Sequence, residues 1–184
     1  MSLGTSLHAQ YYDTSLKGHG LRRAFDILKR KGLASTRTQG PFHQTMEEAL
    51  YHIAEAHILT AWLTEGRVET LSQLHHKSPD DLLALAETIM QRHASTEALN
   101  TVEARDEIDK SAVDDVEREV IMFSRDVLQY IVLDEAVKHG RIGVMEDMLP
   151  HLFYRFSGGG SPKYAIECYE LLQGLHREWP REVA

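Results

Sequence analysis

The chain has a single cysteine and no long apolar run, and each of these shortages excludes a class of protein. A single cysteine, Cys168, in 184 residues rules out an internal disulfide and a cluster of thiolate metal ligands. No apolar run approaches the roughly 18 residues that a membrane span requires, and residues 1–12 lack the pattern of a secretory signal. We therefore expect an intracellular protein, cytoplasmic or nuclear, with no membrane partner.

The remaining composition is that of an ordinary globular protein, because 42% of the residues are apolar and 26% are charged. The net charge of −8 excludes a uniformly basic nucleic-acid binder. That charge is unevenly distributed, since residues 1–43 carry +5 and the remaining residues carry −13. Such a split is typical of an anion-binding arm beside an acidic body, or of a basic helix that lies on acidic ones.

Apolar residues recur at helical spacing along most of the chain, and no segment alternates as a strand does. The pattern predicts an all-α fold, an irregular bundle of six to seven helices in a single domain over residues 1–184. A basic helix at 17–31 precedes an acidic helical body at 44–184. The main helices of that body are predicted at 44–65, 79–93, 112–138 and 162–176.

Local signals mark where several helices begin or end. Ser78 followed by Pro79 is a strong start signal, and a capping box is predicted from Thr45. Ser111 is predicted to open the longest helix. Residues 95–110 are weakly periodic, which is typical of a marginal helix or a mobile connection. Pro150 interrupts an apolar face and predicts a kink or a break, because proline removes a backbone hydrogen bond.

Two basic segments are candidates for binding an anion or a nucleic acid. In the N-terminal helix, five cations surround a narrow apolar stripe: Arg22, Arg23, Lys29, Arg30 and Lys31. A solvated or internally paired face is the alternative. In segment 155–163, Arg155 and Lys163 flank three glycines before a helix start, an arrangement that exposes backbone N–H groups to phosphate. A structural turn between two helices explains the same glycines.

The sequence patterns for metal binding and catalysis are weaker than those for anion binding. Glu48, His52 and Glu55 lie in a line on one helix face, where a solvated polar face is the alternative. His57 lies on the apolar stripe and is expected to be a core histidine with one hydrogen-bond partner. Cys168 beside apolar neighbours is typical of a core residue rather than of a nucleophile. No metal site is predicted from these patterns.

Longer runs of the sequence resemble one known family. They are residues 22–32, 48–57, 143–152, 158–167 and 171–180. Together they resemble a large family of basidiomycete fungal proteins defined as a domain of unknown function, and the resemblance covers about residues 7–183. Members of that family are usually longer, so the resemblance implies that this chain is a segment of a longer protein.

The resemblance also implies descent from a transposase-like mobile element. In a transposase core, acidic residues from separate segments hold two Mg²⁺ ions. Glu167 is then a candidate for the last of these residues, with Asp134 or Glu146 as further candidates, and the earlier ones would precede residue 1. Ser161 and Pro162 stand where the family usually has Asn and Ser, which argues against a role for that asparagine here.

Three functions follow as hypotheses. The first is a non-catalytic helical domain of a transposase-like fungal protein, whose basic N-terminal helix contacts nucleic acid or a protein. The second is the remnant of a Mg²⁺-dependent nuclease, the one case in which a cofactor is expected. The third is a protein-interaction module, with self-association into a homo-oligomer as one form. The sequence favours no catalysis by this chain alone.

Overall fold

The computed structural model describes residues 43–111, 113–159 and 161–179, together with Tyr11 and Ala24. All secondary structure in this part of the chain is helical, and Tyr11 and Ala24 are themselves helical. The prediction of an all-α fold is therefore confirmed. The basic helix predicted at 17–31 lies outside the described residues, apart from Ala24. Within the described ranges, no helix combines the length and apolar character that a membrane span requires.

Six α-helices follow one another along the described chain. They are α1 His43–Gly66, α2 Pro79–His93, α3 Thr96–Ile108, α4 Asp115–Lys138, α5 Ile142–Gly158 and α6 Pro162–Gln173. A 3₁₀ turn, Leu71–His76, joins α1 to α2, and a π turn, Gly174–Glu178, extends α6. The four main predicted helices are present with ends that shift by a few residues.

The structure divides into two compact units, Met1–Leu128 and Gln129–Ala184. Unit 1 contains α1, α2, α3 and the first part of α4. Unit 2 contains the rest of α4 with α5 and α6. The single domain over residues 1–184 stays a prediction.

The capping signals give mixed outcomes. At α2, Ser78 Oγ accepts a hydrogen bond from the Asp81 N–H at 3.1 Å, as predicted for an N-cap. A carboxylate oxygen of Asp81 also accepts one from the Ser78 N–H, which completes a capping box. At α4 the predicted start at Ser111 is wrong. Asp114 caps the helix instead, because its Oδ1 accepts from the N–H groups of Val116 and Glu117 at 3.0 Å. The helix therefore begins at Asp115 rather than at 112.

Two further expectations need correction. Helix α1 already includes His43, two residues before the capping box predicted at Thr45. Helix α5 continues through Pro150 from Ile142 to Gly158, so the break is wrong, while the alternative of a kink stays a prediction. Pro150 is exposed, and the packing of α5 on α6 holds the helix together where one backbone hydrogen bond is missing. Residues 96–108, weakly periodic in sequence, form a regular helix capped by Ser95, whose Oγ accepts from the Ala98 N–H at 2.9 Å.

Each unit has its own buried side chains. In unit 1, Met46, Leu50 and Val127 are the largest completely buried residues. Ala98 and Val102 of α3 pack against Ile121 of α4 in a second, smaller cluster. In unit 2, α5 and α6 pack lengthwise on each other and bury side chains along their seam, namely Met148, Ala165 and Cys168. Stability comes from these apolar contacts, at roughly 25 cal/mol for each Å² removed from water.

One glycine is required by a close approach. A Cβ atom at Gly174 would lie 2.5 Å from the indole ring of Trp179, which is closer than real Cβ contacts come. The Trp179 N–H donates to the Gly174 carbonyl at 2.8 Å and closes the π turn. Gly174 therefore allows the chain to fold the Trp179 ring back onto the end of α6.

Candidate functional site

The predicted anion-binding residues are only partly described. Arg22, Arg23, Lys29, Arg30 and Lys31 lie outside the described residues. Arg155 is half-buried near the end of α5, and Lys163 is exposed in the first turn of α6. In the turn between them, two backbone N–H groups donate to carbonyl oxygens at the end of α5. The Gly159 N–H donates to the Arg155 carbonyl at 2.8 Å and the Ser161 N–H to the Phe156 carbonyl at 3.0 Å. Ser161 occupies the N-cap position of α6, but its side chain makes no capping hydrogen bond.

The candidate nuclease acids are not brought together. Asp134 pairs with Lys138 one turn along α4 at 2.5 Å, and Glu167 is exposed on α6. No three histidine, cysteine, aspartate or glutamate side chains in the described ranges form a group able to hold a metal ion, Glu146 included. The line formed by Glu48, His52 and Glu55 is an exposed helix face. These residues therefore give no geometric support to a metal-dependent reaction.

Cys168 is buried on α6, as its apolar neighbours predict. Burial raises the pKa of its thiol, and the adjacent Glu167 carboxylate raises it further. The thiol stays protonated at neutral pH, and it is the thiolate that acts as a nucleophile. The structure thus places Cys168 in the packing of unit 2.

A buried polar cluster in unit 1 was not found from sequence. Asp126 of α4 is 2% exposed, and its carboxylate accepts hydrogen bonds from the Tyr11 hydroxyl at 2.5 Å and the Arg125 Nε at 3.0 Å. The Tyr11 ring meets Phe123 edge to face, with centroids 5.4 Å apart. The sequence signal for this cluster was the carboxylate of Asp126, which stands next to Val127 on the apolar stripe of α4. Its partner Tyr11 lies 115 residues away, so periodicity alone could not reveal the pair.

Beside this cluster, α1, α2 and α4 of unit 1 border a small cleft of about 130 Å³. Its walls are apolar, with Trp62, Ile89 and Leu128 among them, except at three polar side chains: His57, His93 and Ser124. The Nδ1 atom of His57 is buried without a hydrogen-bond partner. The expected single partner of this ring stays a prediction, because Nδ1 is only one of its two nitrogens. Burial lowers the pKa of His57 below its usual value, which keeps the ring neutral.

A charged network stands at one side of the same cleft. His93 Nε2 donates to a carboxylate oxygen of Glu65 at 2.9 Å, and Arg92 donates to the other oxygen at 3.0 Å. The hydrogen bond from His93 lowers the pKa of Glu65, with a further contribution from Arg92, against the opposing effect of desolvation. The network joins the end of α2 to the end of α1, and it engages the Nε2 atom of His93.

In unit 2, α5 and α6 leave aromatic and aliphatic side chains on their outer surface. Tyr154 is 73% exposed, Ile166 57% and Tyr169 54%. Phe153 and Tyr169 face each other across the seam with ring centroids 6.0 Å apart. Exposed apolar surface that is contiguous rather than scattered marks a place where another molecule binds.

Two cavities run along this seam and share Phe153 and Tyr169, and we name them together the α5–α6 groove. One, of about 540 Å³, is lined by Phe153, Ser157, Pro162, Ala165, Ile166 and Tyr169. The other, of about 400 Å³, is lined by Pro150, Phe153, Tyr154, Tyr169, Leu172, Gln173, His176 and Arg177. None of these lining residues is acidic. Arg177, at one end of the groove, forms no ion pair with any described residue.

The described residues thus define an all-α protein with a polar cluster inside one unit and an aromatic groove on the other. The chain belongs to a family of unknown function, DUF6589, whose model matches residues 1–184. Comparison with curated proteins and with solved structures found no match.

Proposed function

We propose that this chain is a non-catalytic protein-interaction module whose α5–α6 groove binds an amphipathic helix with acidic flanks. The observation that carries the proposal is the groove itself, in which Tyr154, Ile166 and Tyr169 remain more than half exposed. Aromatic side chains supply large contact areas at low entropic cost and are enriched in protein interfaces. A groove between two packed helices is a common receptor for a third amphipathic helix.

The charge of the groove supports an acidic partner. Arg177 and His176 line one end, and no carboxylate lines the rest. A partner with glutamate or aspartate beside its apolar residues gains attraction at that end, whereas a basic partner meets repulsion. The apolar contacts supply most of the affinity, and the charges select among partners.

Synthetic helical peptides test this proposal. Three peptides share leucines at i, i+3, i+4 and i+7 spacing and differ only in outer residues, which are glutamate, serine or lysine. Fluorescence anisotropy should give the tightest binding for the acidic peptide, by up to about fivefold over the neutral one for one exposed charge pair. Arg177→Gln should remove this preference, and Arg141→Gln, outside the groove, should keep it.

Tyr169→Ser should weaken binding of all three peptides, and Ile142→Ser, an exposed change outside the groove, should not. Absence of binding for every peptide would overturn the proposal, as would equal binding to wild type and Tyr169→Ser. A stable dimer of the wild-type chain that is lost in Tyr154→Ser would assign the groove to a second copy of the chain and contradict a peptide occupant.

A second candidate function is nucleic-acid contact through the basic segment, and the charge of +5 on residues 1–43 favours it. This is the contact expected of a segment from a transposase-like fungal protein, an origin that depends on the sequence resemblance described above. Duplex DNA binding should weaken with salt, and changing Arg22, Arg23, Lys29 and Arg30 to alanine should reduce the salt slope by about 3 to 4. Binding that is unchanged in this variant would eliminate the contact.

A further inference from the structure

The cleft in unit 1 combines an apolar wall with polar atoms that lack partners. Ser124 of α4 is 5% exposed and lines the cleft, and its hydroxyl makes no hydrogen bond to any described residue. His57 of α1 lines it as well, with Nδ1 buried and unpaired. Buried polar groups are nearly always hydrogen-bonded, so the unpaired Nδ1 atom of His57, with the Ser124 hydroxyl on the wall of the same cleft, indicates that a bound molecule supplies partners.

The size of the cleft restricts that molecule. Its volume of about 130 Å³ is close to the roughly 150 Å³ of an apolar cavity that holds a benzene-sized molecule. Trp62 provides an aromatic wall, while Ile89 and Leu128 provide aliphatic ones. A single six-membered ring with one small substituent fits this space.

The charge around the cleft restricts the molecule further. The lining residues carry no carboxylate and no lysine or arginine, and the Nε2 of His93 is engaged by Glu65. Moving an ion into an apolar space without a partner is costly, so the occupant is neutral. A hydroxyl group both donates and accepts, and therefore suits the Ser124 hydroxyl and a neutral imidazole alike.

We propose that the cleft between α1, α2 and α4 binds a small neutral aromatic alcohol of the phenol class. The polar contacts come from Ser124 and His57, and the apolar contacts come from the surrounding side chains. The site lies wholly in unit 1 and is independent of the α5–α6 groove.

Phenol itself is the probe. The chain has two tryptophans, so Trp179→Phe leaves Trp62 in the cleft as the only tryptophan reporter. Titration with phenol should change Trp62 fluorescence and saturate with a Kd on the order of 1 mM, as befits a ligand of a few heavy atoms. Toluene, which has the same ring without the hydroxyl, should bind about fivefold more weakly.

Two variants separate the site from non-specific binding. Ala86→Leu adds carbon atoms to the cleft wall from a half-exposed position and should abolish phenol binding. Ser124→Ala removes the hydroxyl, so phenol and toluene should then bind with more nearly equal affinity. Circular dichroism of each variant establishes that it is folded. The proposal is overturned if the Trp62 fluorescence change does not saturate by about 10 mM phenol. It is also overturned if folded Ala86→Leu binds phenol as the wild type does, or if Ser124→Ala keeps the full preference for phenol over toluene.

Discussion

The two units depart from the ordinary distribution of polar and apolar side chains in opposite directions. Unit 1 buries Asp106, Ser124 and Asp126. Among the described residues of unit 2, the buried side chains include no charged residue, yet Tyr154 and Tyr169 are largely exposed on its surface. Polar groups inside must find partners, whereas apolar groups outside gain by contact with another molecule. Changes in unit 1 should therefore alter stability, and changes on the outer surface of unit 2 should alter binding.

The largest difference between the units should come from apolar side chains. Leu50→Ala removes a completely buried side chain of α1 and should lower the free energy of unfolding by about 2 to 5 kcal/mol. Ile166→Ala, on the exposed groove surface, should change it by about 0.5 kcal/mol or less. Urea denaturation measures both values. Similar losses for the two variants would show that Ile166 is a core residue.

Asp126 tests the buried polar cluster. Asp126→Ala deprives the Tyr11 hydroxyl and the Arg125 guanidinium of their shared acceptor, and we expect a loss of about 3 kcal/mol in the free energy of unfolding. Asp115→Ala, which breaks an exposed pair with Arg118 on the same helix, should cost about 1 kcal/mol or less. A small effect at Asp126 would mean that water replaces the carboxylate without cost.

Alanine substitution at two glycines of unit 2 should change the free energy of unfolding in opposite directions. Gly174→Ala forces the Trp179 ring away and should cost about 1 to 3 kcal/mol in unfolding free energy, with altered Trp179 emission in a Trp62→Phe background. Gly158→Ala meets no atom within 4 Å and should stabilise by up to about 1 kcal/mol. Unchanged Trp179 emission in Gly174→Ala would show that the ring does not rest on this turn.

His57 should make the stability of unit 1 depend on pH. Its pKa is lowered in the folded chain, so the unfolded chain binds more protons as the pH falls through the ordinary histidine pKa of about 6.5. The free energy of unfolding should therefore decrease from about pH 7.5 to about pH 5.5, and more steeply in wild type than in His57→Gln. Equal pH dependence in the two proteins would show that His57 remains solvated.

Local signals were sufficient for part of the fold. Ser78 and Pro79 mark the start of α2, and Gly140, with a φ of +63°, forms the turn that follows the end of α4 at Lys138. At the start of α4, Ser111 and Asp114 both have capping side chains. Only the folded geometry shows that the Asp114 carboxylate reaches the two N–H groups.

Sites that depend on distant contacts could not be predicted in this way. The contact between Tyr11 and Asp126 spans 115 positions, and Asp126 alone looks like an interruption of an apolar stripe. The α5–α6 groove depends on how two helices pack, which periodicity does not determine. Helical spacing predicts one side of this last helix from Tyr164, Cys168, Leu171, Leu172 and Leu175. Only Cys168 of these is buried in the structure.

The most direct test of the central claim is hydrogen–deuterium exchange of the whole chain with and without the acidic amphipathic peptide at saturation. Slowed exchange is predicted in α5 and α6, at residues 142–173, and it should disappear in Tyr169→Ser. Protection that falls on α1 and α2 instead, or that persists in Tyr169→Ser, would contradict the assignment of the α5–α6 groove as the binding surface.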